Sequence, residues 1–179
     1  MENRFLIVVD MQNDFVTGSL GTKEAQEIVP NIKRKIDEYL KNGDIVFFTC
    51  DTHYEDYFDT LEGQNLPVKH CIYETEGWEV VSELRKIDFL YCNNVRSIIK
   101  NTFGYIDWRK HLPYADESLE IELCGVCTDI CVVSNALILR GIYPNATIFV
   151  DAYHCAGSTP EKHEAALEVM KSCQIEVIE

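Results

Sequence analysis

The sequence lacks any apolar run that could cross a membrane, any surplus of positive charge, and any segment rich in proline, glycine and serine. No stretch approaches the roughly 18 apolar residues that a membrane helix needs. The 30 acidic and 16 basic residues give a formal net charge of −14. Such a balance repels nucleic acids and anionic membrane surfaces, so we expect neither as a partner.

Length and composition predict a single domain over residues 1–179. The chain has 179 residues, of which 46% are hydrophobic, and this is enough to bury a core of its own. Only five consecutive apolar residues precede Asp10, so no signal peptide is expected. The eight cysteines are therefore predicted to be reduced thiols in a cytoplasm, available for packing, metal binding or catalysis.

Short apolar, β-branched runs alternate with longer segments of helical period, which is typical of an α/β sheet. Residues 5–9 and 45–49 are apolar on both faces, as buried parallel strands require. Further strands are predicted at residues 95–99, 119–123, 147–150 and 175–178, and the alternation in 119–123 indicates one exposed face. We predict a three-layer α/β/α fold with a mostly parallel sheet of about six strands. Ligands bind beyond the carboxyl ends of the strands in such sheets.

Four segments with apolar residues at helical spacing are predicted as helices. They cover residues 28–40, 78–91, 129–139 and 160–171. Gly43 and Gly141 are expected to end the first and third of these helices. Thr128 is a candidate N-cap of the third, and Pro160 suits the first turn of the fourth.

Three predicted strands are followed by a reactive side chain. Asp10 follows the first strand, Lys100 follows the strand at 95–99, and Cys131 lies in the first turn of the helix after the strand at 119–123. The free N–H groups there could lower a thiol pKa and form an oxyanion hole. Each of these residues also has a structural interpretation. Taken singly, Asp10 could form a turn, Lys100 could lie on the surface, and Cys131 could pack in the core. Together they would form a nucleophile with its base and a cation.

Two other groups have the spacing of metal or redox sites. Cys124 and Cys127 form a Cys-x-x-Cys pair, but the pair straddles a strand end, and no second such pair appears elsewhere. After the second strand, Asp51 and His53 are two residues apart, so they face the same side of an extended segment. Glu62 and His70 follow in the same polar region, which indicates a metal site.

The segments Gly-Val-Cys-Thr-Asp-Ile-Cys-Val at 125–132 and Val-Val-Asp-Met-Gln-Asn-Asp-Phe at 8–15 resemble those of the isochorismatase-like cysteine hydrolases, nicotinamidase (pyrazinamidase) branch. The resemblance covers nearly the whole chain. It implies a triad of Asp10, Lys100 and Cys131, in which the thiolate attacks an amide carbonyl. It also implies an oxyanion hole made by the backbone N–H groups of Cys127 and Cys131, with a cis bond between Val126 and Cys127.

The resemblance further implies a divalent metal held by Asp51, His53 and His70. Glu62 is the best candidate for the remaining ligand, with Asp59 as the competing choice. Zinc is the first expectation, and manganese or iron are alternatives because mixed N/O ligands discriminate poorly. The implied partner is a small-molecule amide, and the family often forms homo-oligomers.

The pocket residues depart from the family pattern. Leu66 stands where an aromatic residue often sandwiches the substrate ring, Phe103 replaces a tyrosine, and Phe15 is retained. The chemistry is unaffected, but nicotinamide is less firmly implied as the substrate. Two alternatives stay open: a metal-free isochorismatase-type hydrolase acting on a vinyl ether or another small amide, and a non-catalytic thiol or metal sensor built on Cys124, Cys127 and Cys131.

Overall fold

A computed structural model describes residues 4–85, 93–114 and 118–179. Six strands form one all-parallel sheet in the order β3-β2-β1-β4-β5-β6. The strands are β1 Arg4–Val9, β2 Ile45–Asp51, β3 Val95–Lys100, β4 Glu120–Val126, β5 Thr147–Ala156 and β6 Glu176–Ile178. The predicted α/β class and the sheet of about six strands are confirmed.

Helices cover the sheet on both sides. They are α1 Asn13–Val16, α2 Lys23–Lys41, α3 Leu61–Asn65, α4 Ser82–Arg85, α5 Val133–Ile142 and α6 Pro160–Ser172. Helix α2 packs on β1, β2, β4 and β5, whereas α5 and α6 pack on β5 and on each other. Among the described residues, no helix is both long and apolar enough to span a membrane.

The strand register brings the carboxyl ends of the central strands together. Val9 pairs with Thr49 on one side and Gly125 on the other, and Asp51 pairs with Lys100. Strand β2 is buried along its whole length, and β1 is buried after its first residue. The side chains that follow these strands therefore meet at one edge of a rigid sheet.

The helix predicted over residues 78–91 is wrong in its first part. Trp78 lies in a turn, and Val80 forms an isolated bridge with Gln12. The Val81 N–H donates to the Met11 carbonyl at 3.0 Å, so the loop after β1 holds this segment. Only α4 is helical, and residues 86–91 lie outside the described residues.

Two other helix boundaries differ from the prediction. Helix α2 begins at Lys23 because the Thr22 side chain caps it, accepting from the Ala25 N–H at 3.0 Å. Its predicted end is confirmed, since Gly43 follows the helix with φ +84°. Helix α5, in contrast, runs through Gly141 to Ile142.

The helix after β4 opens with a π-helical turn over Thr128–Val132. Its N-cap residue is Cys127, so the prediction that Thr128 caps the helix is wrong. The Thr128 hydroxyl instead lies 2.8 Å from Nδ1 of His163 on α6. The first turn of this helix is thereby tied to a neighbouring helix.

The alternation in β4 does not reflect an exposed face. Glu122 is buried because Lys35 and Tyr39 of α2 reach it. Lys35 also pairs with Asp151 at 2.9 Å, and His154 Nδ1 lies 2.9 Å from the same carboxylate. We call these five residues the Lys35 cluster.

Candidate active site

A cavity of about 430 Å³ opens at the carboxyl ends of the strands. Eight of the sequence-predicted site residues line it: Phe15, Asp51, Glu62, Leu66, His70, Phe103, Cys127 and Cys131. Asp10, His53 and Lys100 are buried in contact with residues of this lining. The structure therefore brings all the predicted site residues to one place.

Asp10, Lys100 and Cys131 form a buried group. The Lys100 Nζ lies 2.6 Å from Asp10 Oδ2 and 3.7 Å from Cys131 Sγ. The Asp10 carboxylate also acts on the thiol, whose pKa it raises. A thiol, a carboxylate and an ammonium are therefore in mutual contact, which suits a nucleophile with a base and an electrostatic partner.

Burial raises the pKa of the Asp10 carboxyl, and this outweighs the opposing charge of Lys100. The pKa of Lys100 lies well above its usual range because, although burial opposes its charge, Asp10, Cys131 and Asp51 all favour it. Lys100 is therefore a permanent cation and not a proton donor.

The prediction of a lowered thiol pKa at Cys131 is wrong for the resting site. Burial and the charge of Asp10 raise this pKa well above its usual range, and Lys100 only partly opposes them. The thiol is buried beside the Asp10 and Asp51 carboxylates, whose charges both disfavour the thiolate. The resting sulfur is a protonated thiol beside a base.

Thr49, which sequence reasoning missed, holds Asp10 in place. Its hydroxyl donates to Asp10 Oδ1 at 2.6 Å, so the other carboxylate oxygen is left to Lys100. The Asp10 N–H donates back to Thr49, and Asp10 has φ +49°. A non-glycine residue in this left-handed region costs roughly 1 kcal/mol or more and requires such support.

Asp51, His53, Glu62 and His70 form the second group, and their ligand atoms all lie within 4.8 Å of one another. His53 Nε2 lies 3.1 Å from Asp51 Oδ2 and 3.6 Å from Glu62 Oε1. His70 Nε2 lies 3.6 and 3.7 Å from the same oxygens. Asp59 is exposed and outside this group. Two imidazoles and two carboxylates at these separations suit a divalent metal ion.

The hydrogen bonding of the two histidines also fits a metal. His53 Nε2 is buried without a hydrogen-bond partner in the described part of the chain. His70 Nδ1 lies 2.8 Å from the Val68 carbonyl, which leaves Nε2 to face the carboxylates. Although burial opposes ionisation, the two nearby histidines and the charge of Lys100 keep the pKa of Asp51 well below its usual range.

Local structure explains how each ligand reaches the group. Asp51 ends β2, and Glu62 lies in α3, whose N-cap Thr60 accepts from the Gly63 N–H at 3.0 Å. The His70 segment is fixed because Asp14 Oδ2 accepts the N–H of Cys71 at 2.8 Å. The loop after β1 thus positions part of the metal site.

Gln12 joins the two groups and was also missed from the sequence. Its buried amide accepts from the Asp51 N–H and donates to the Asp51 carbonyl, both at 2.8 Å. Asp51 Oδ1 in turn lies 3.5 Å from Lys100 Nζ. The nucleophile group and the metal group therefore share one strand end. Gln12 belongs to the segment at 8–15 that carries the family resemblance, but the sequence does not show which distant residues its amide contacts.

Two further cysteines, Cys124 and Cys127, lie in the segment that leads from β4 to Cys131. The bond between Val126 and Cys127 is cis, as the resemblance implies. Burial raises the pKa of Cys127 to about 12 and that of Cys124 well above its usual range. All seven cysteines that the structure describes are free thiols, including this pair. No disulfide joins Cys124 and Cys127 in this structure.

Residues at the starts of two helices line the pocket without having been predicted. Thr22 caps α2, and Ser158 and Lys162 lie at the start of α6. Ser158 is fixed by Asp129, which accepts from its N–H and its hydroxyl, both at 2.7 Å. A cap residue followed by Pro160 predicts the start of a helix, but it does not predict that this start lies beside the pocket.

Comparisons with known proteins agree with this site. The isochorismatase domain family model matches residues 4–179. The chain is 30% identical to a nicotinamidase of Schizosaccharomyces pombe, covering 97% of this chain and 91% of that protein. It is 29% identical to a probable inactive nicotinamidase of Arabidopsis thaliana, covering 95% and 89%. The crystal structure of a pyrazinamidase of Pyrococcus horikoshii in complex with zinc superposes with a TM-score of 0.80 at 26% identity, covering 99% of both chains.

The family match spans every residue that the structure describes, and it includes the strand ends on which both groups lie. The chain belongs to the isochorismatase family.

Proposed function

We propose that the chain is an amidohydrolase that converts nicotinamide to nicotinate and ammonia through a thioester at Cys131. The observation that carries this is the contact among the Cys131 thiol, Asp10 and Lys100 at the wall of a pocket that also contains a candidate metal group. A cavity of about 430 Å³ is within the usual range for small-molecule sites. The named relatives include nicotinamidases and a pyrazinamidase.

The first half-reaction uses Asp10 as base and then as acid. Asp10 accepts the thiol proton as Cys131 Sγ attacks the amide carbonyl carbon, and the carbonyl electron pair moves to oxygen. The backbone N–H groups of Cys127 and Cys131 stabilise that oxyanion. When the C–N bond breaks, Asp10 donates the proton to the leaving nitrogen, which departs as ammonia.

The second half-reaction hydrolyses the thioester. Asp10 accepts a proton from water, whose oxygen attacks the thioester carbonyl, and the C–S bond breaks to release nicotinate. The proton returns to the sulfur. The raised pKa of Asp10 suits both roles. A group that acts first as a base and then as an acid works best when its pKa lies near the operating pH.

Lys100 acts through its charge. It lies between Asp10 and Asp51 and close to the sulfur, where a positive charge favours the thiolate that forms during attack. Its pKa is too high for it to supply a proton.

Asp51, His53, Glu62 and His70 are the residues that would hold a divalent metal, with zinc first and manganese or iron as alternatives. A bound ion would supply Lewis-acid chemistry to a nitrogen of the substrate ring. Phe15, whose ring lies 5.4 Å from that of His70, is placed to contact a flat substrate ring, and Leu66 and Phe103 line the same cavity.

Ammonia release from nicotinamide tests the proposal, with Cys131→Ala and Cys127→Ala compared side by side. We expect Cys131→Ala to lose activity by about a thousandfold or more. Cys127→Ala keeps its backbone N–H and should retain most activity. Equal loss in both variants would overturn the roles, and no release by the parent would overturn nicotinamide as substrate.

Metal analysis separates this proposal from a metal-free isochorismatase-type hydrolase. Glu62→Ala should weaken zinc binding by about a hundredfold, since it removes one of four ligands, whereas Asp59→Ala should leave it unchanged. Equal affinities in the two variants would exclude Glu62 as a ligand. A parent that binds no metal yet hydrolyses amides would favour the metal-free alternative.

The thiol-sensor alternative predicts a disulfide between Cys124 and Cys127 at cytosolic redox poise. Cys124 is fully buried in β4 and, unlike Cys131, does not line the pocket, which disfavours its reaction with an oxidant. Thiol trapping should recover both as free thiols. The cytoplasmic location, the single-domain organisation and the homo-oligomeric state remain predictions.

A further inference from the structure

Asn135 is a buried asparagine on α5, four residues after Cys131. Its Oδ1 accepts from the Tyr105 N–H at 3.0 Å and from Trp108 Nε1 at 3.3 Å. Its Nδ2 donates to the carbonyls of Cys131 at 2.8 Å and Phe103 at 3.4 Å. Every donor and acceptor of the amide is used, so the side chain has one favoured orientation.

These bonds join the helix that carries the nucleophile to the loop that follows Lys100. The two are in close contact at Gly104. A Cβ there would lie 2.6 Å from Cδ1 of Ile138 and 3.0 Å from the carbonyl carbon of Ser134. The loop is thus seated directly on α5, and Asn135 fixes its register.

Phe103 is the residue of this loop that reaches the pocket. It lines the cavity but is 48% exposed, so burial of its own ring does not hold it in place. The Asn135 amide holds the Phe103 backbone by donating to the Phe103 carbonyl. It also holds the residues that follow in the loop, because it accepts from the Tyr105 N–H and from Trp108 Nε1. The position of this aromatic wall therefore depends on one amide outside the pocket.

We propose that Asn135 is a positioning residue that holds Phe103 against the ring of a planar amide substrate. The inference rests on the proposed function, because it assumes an aromatic amide in this pocket. A wall that contacts the ring equally before and during reaction changes KM and leaves kcat nearly constant. A merely structural role would instead reduce the active fraction and so lower kcat.

The test compares Asn135→Ala with Ser134→Ala in nicotinamide kinetics. Ser134 is a matched control because its hydroxyl donates to the Ile130 carbonyl within the same helix. We expect KM to rise about tenfold in Asn135→Ala with kcat within threefold of the parent, and no change in Ser134→Ala. Asn135→Ala also removes the hydrogen bond to the Cys131 carbonyl, so alkylation of Cys131 by chloroacetamide checks the nucleophile separately. We expect its rate to stay within twofold of the parent, and a larger change would show that Asn135 acts on the nucleophile and would overturn the inference.

A double-mutant cycle shows whether the effect acts through Phe103. Asn135→Ala should add little to Phe103→Ala if both remove the same contact. Gly104→Ala is a second variant that displaces the loop while Asn135 is intact. It should also raise KM about tenfold. This variant tests the inference even if Asn135→Ala does not fold.

Additive effects, a fall in kcat, or an unchanged KM in Asn135→Ala or Gly104→Ala would overturn the inference alone. Absence of ammonia release by the parent would overturn the proposed function and this inference with it.

Discussion

Two regions of the molecule place a lysine between two carboxylates, and only one of them is a candidate active site. At the strand ends, Lys100 lies 2.6 Å from Asp10 and 3.5 Å from Asp51. Under α2, Lys35 pairs with Glu122 and with Asp151. Charge composition alone therefore does not distinguish them.

The surroundings make the difference. In the Lys35 cluster, Glu122 also accepts from the Tyr39 hydroxyl at 2.5 Å, and α2 covers the group. At the strand ends, a thiol lies 3.7 Å from the lysine and a cavity opens beside it. A buried ion group that is covered by a helix and borders no pocket contributes to structure, whereas one that borders a nucleophile and a pocket can act on a ligand.

The largest difference between the two regions is expected when each lysine is replaced, because one replacement should affect catalysis and the other stability. Lys100→Met should lower kcat/KM by about a hundredfold to a thousandfold, because the positive charge beside the sulfur is lost. Lys35→Met should keep kcat/KM within about threefold and lower the free energy of unfolding by roughly 3 kcal/mol, because Glu122 is left buried without its cation. Kinetics and denaturant unfolding of both variants give the two quantities. Loss of catalysis in well-folded Lys35→Met would contradict the comparison.

A smaller effect is expected at Thr49. Asp10 must be ionised to accept the thiol proton, and the Thr49 hydroxyl stabilises that form. Thr49→Val should therefore raise the pKa of Asp10 further and move the acid limb of kcat/KM up by about one pH unit. Thr49→Ser keeps the hydroxyl and is the control. The prediction fails if the two variants have the same acid limb.

The smallest effect concerns Asp151. Although burial opposes ionisation, hydrogen bonds from His154 and Lys35 lower the pKa of Asp151 from 3.8 to about 2. Because the folded pKa is the lower one, the stabilisation is complete above pH 3.8 and is lost as the pH falls through 2. Asp151→Asn should cost about 1 kcal/mol at neutral pH after solvent screening, and the difference from the parent should vanish near pH 2. Unfolding curves across this range check it, and a constant difference would exclude the linkage.

The two regions also show what sequence can and cannot predict. The ends of strands can be predicted from sequence. Asp10 follows five apolar residues and Lys100 follows a run with β-branched residues, and both patterns place the side chain at one edge of a parallel sheet. The gathering of Asp10, Lys100 and Cys131 follows from this rule. The buried state of Glu122 does not, since its alternating strand resembles a half-exposed one until Lys35 of α2 is placed over it.

The missed residues share a different cause. Thr49 and Gln12 act through side-chain hydrogen bonds to residues 39 positions away, and no local pattern encodes such a partner. The first part of the helix predicted over residues 78–91 is wrong because tertiary bonds to Met11 and Gln12 override apolar periodicity in that segment. The direction of the Cys131 pKa was misjudged because burial depends on the whole fold.

Trapping the covalent intermediate tests the central claim most directly. Nicotinamide is mixed with the parent, Cys131→Ala and Cys127→Ala, the reaction is quenched with acid, and peptide mass mapping locates any nicotinoyl adduct. The account predicts an adduct on Cys131 in the parent and in Cys127→Ala, and none in Cys131→Ala. An adduct on another cysteine, or ammonia release by Cys131→Ala at the parent's rate, would contradict it.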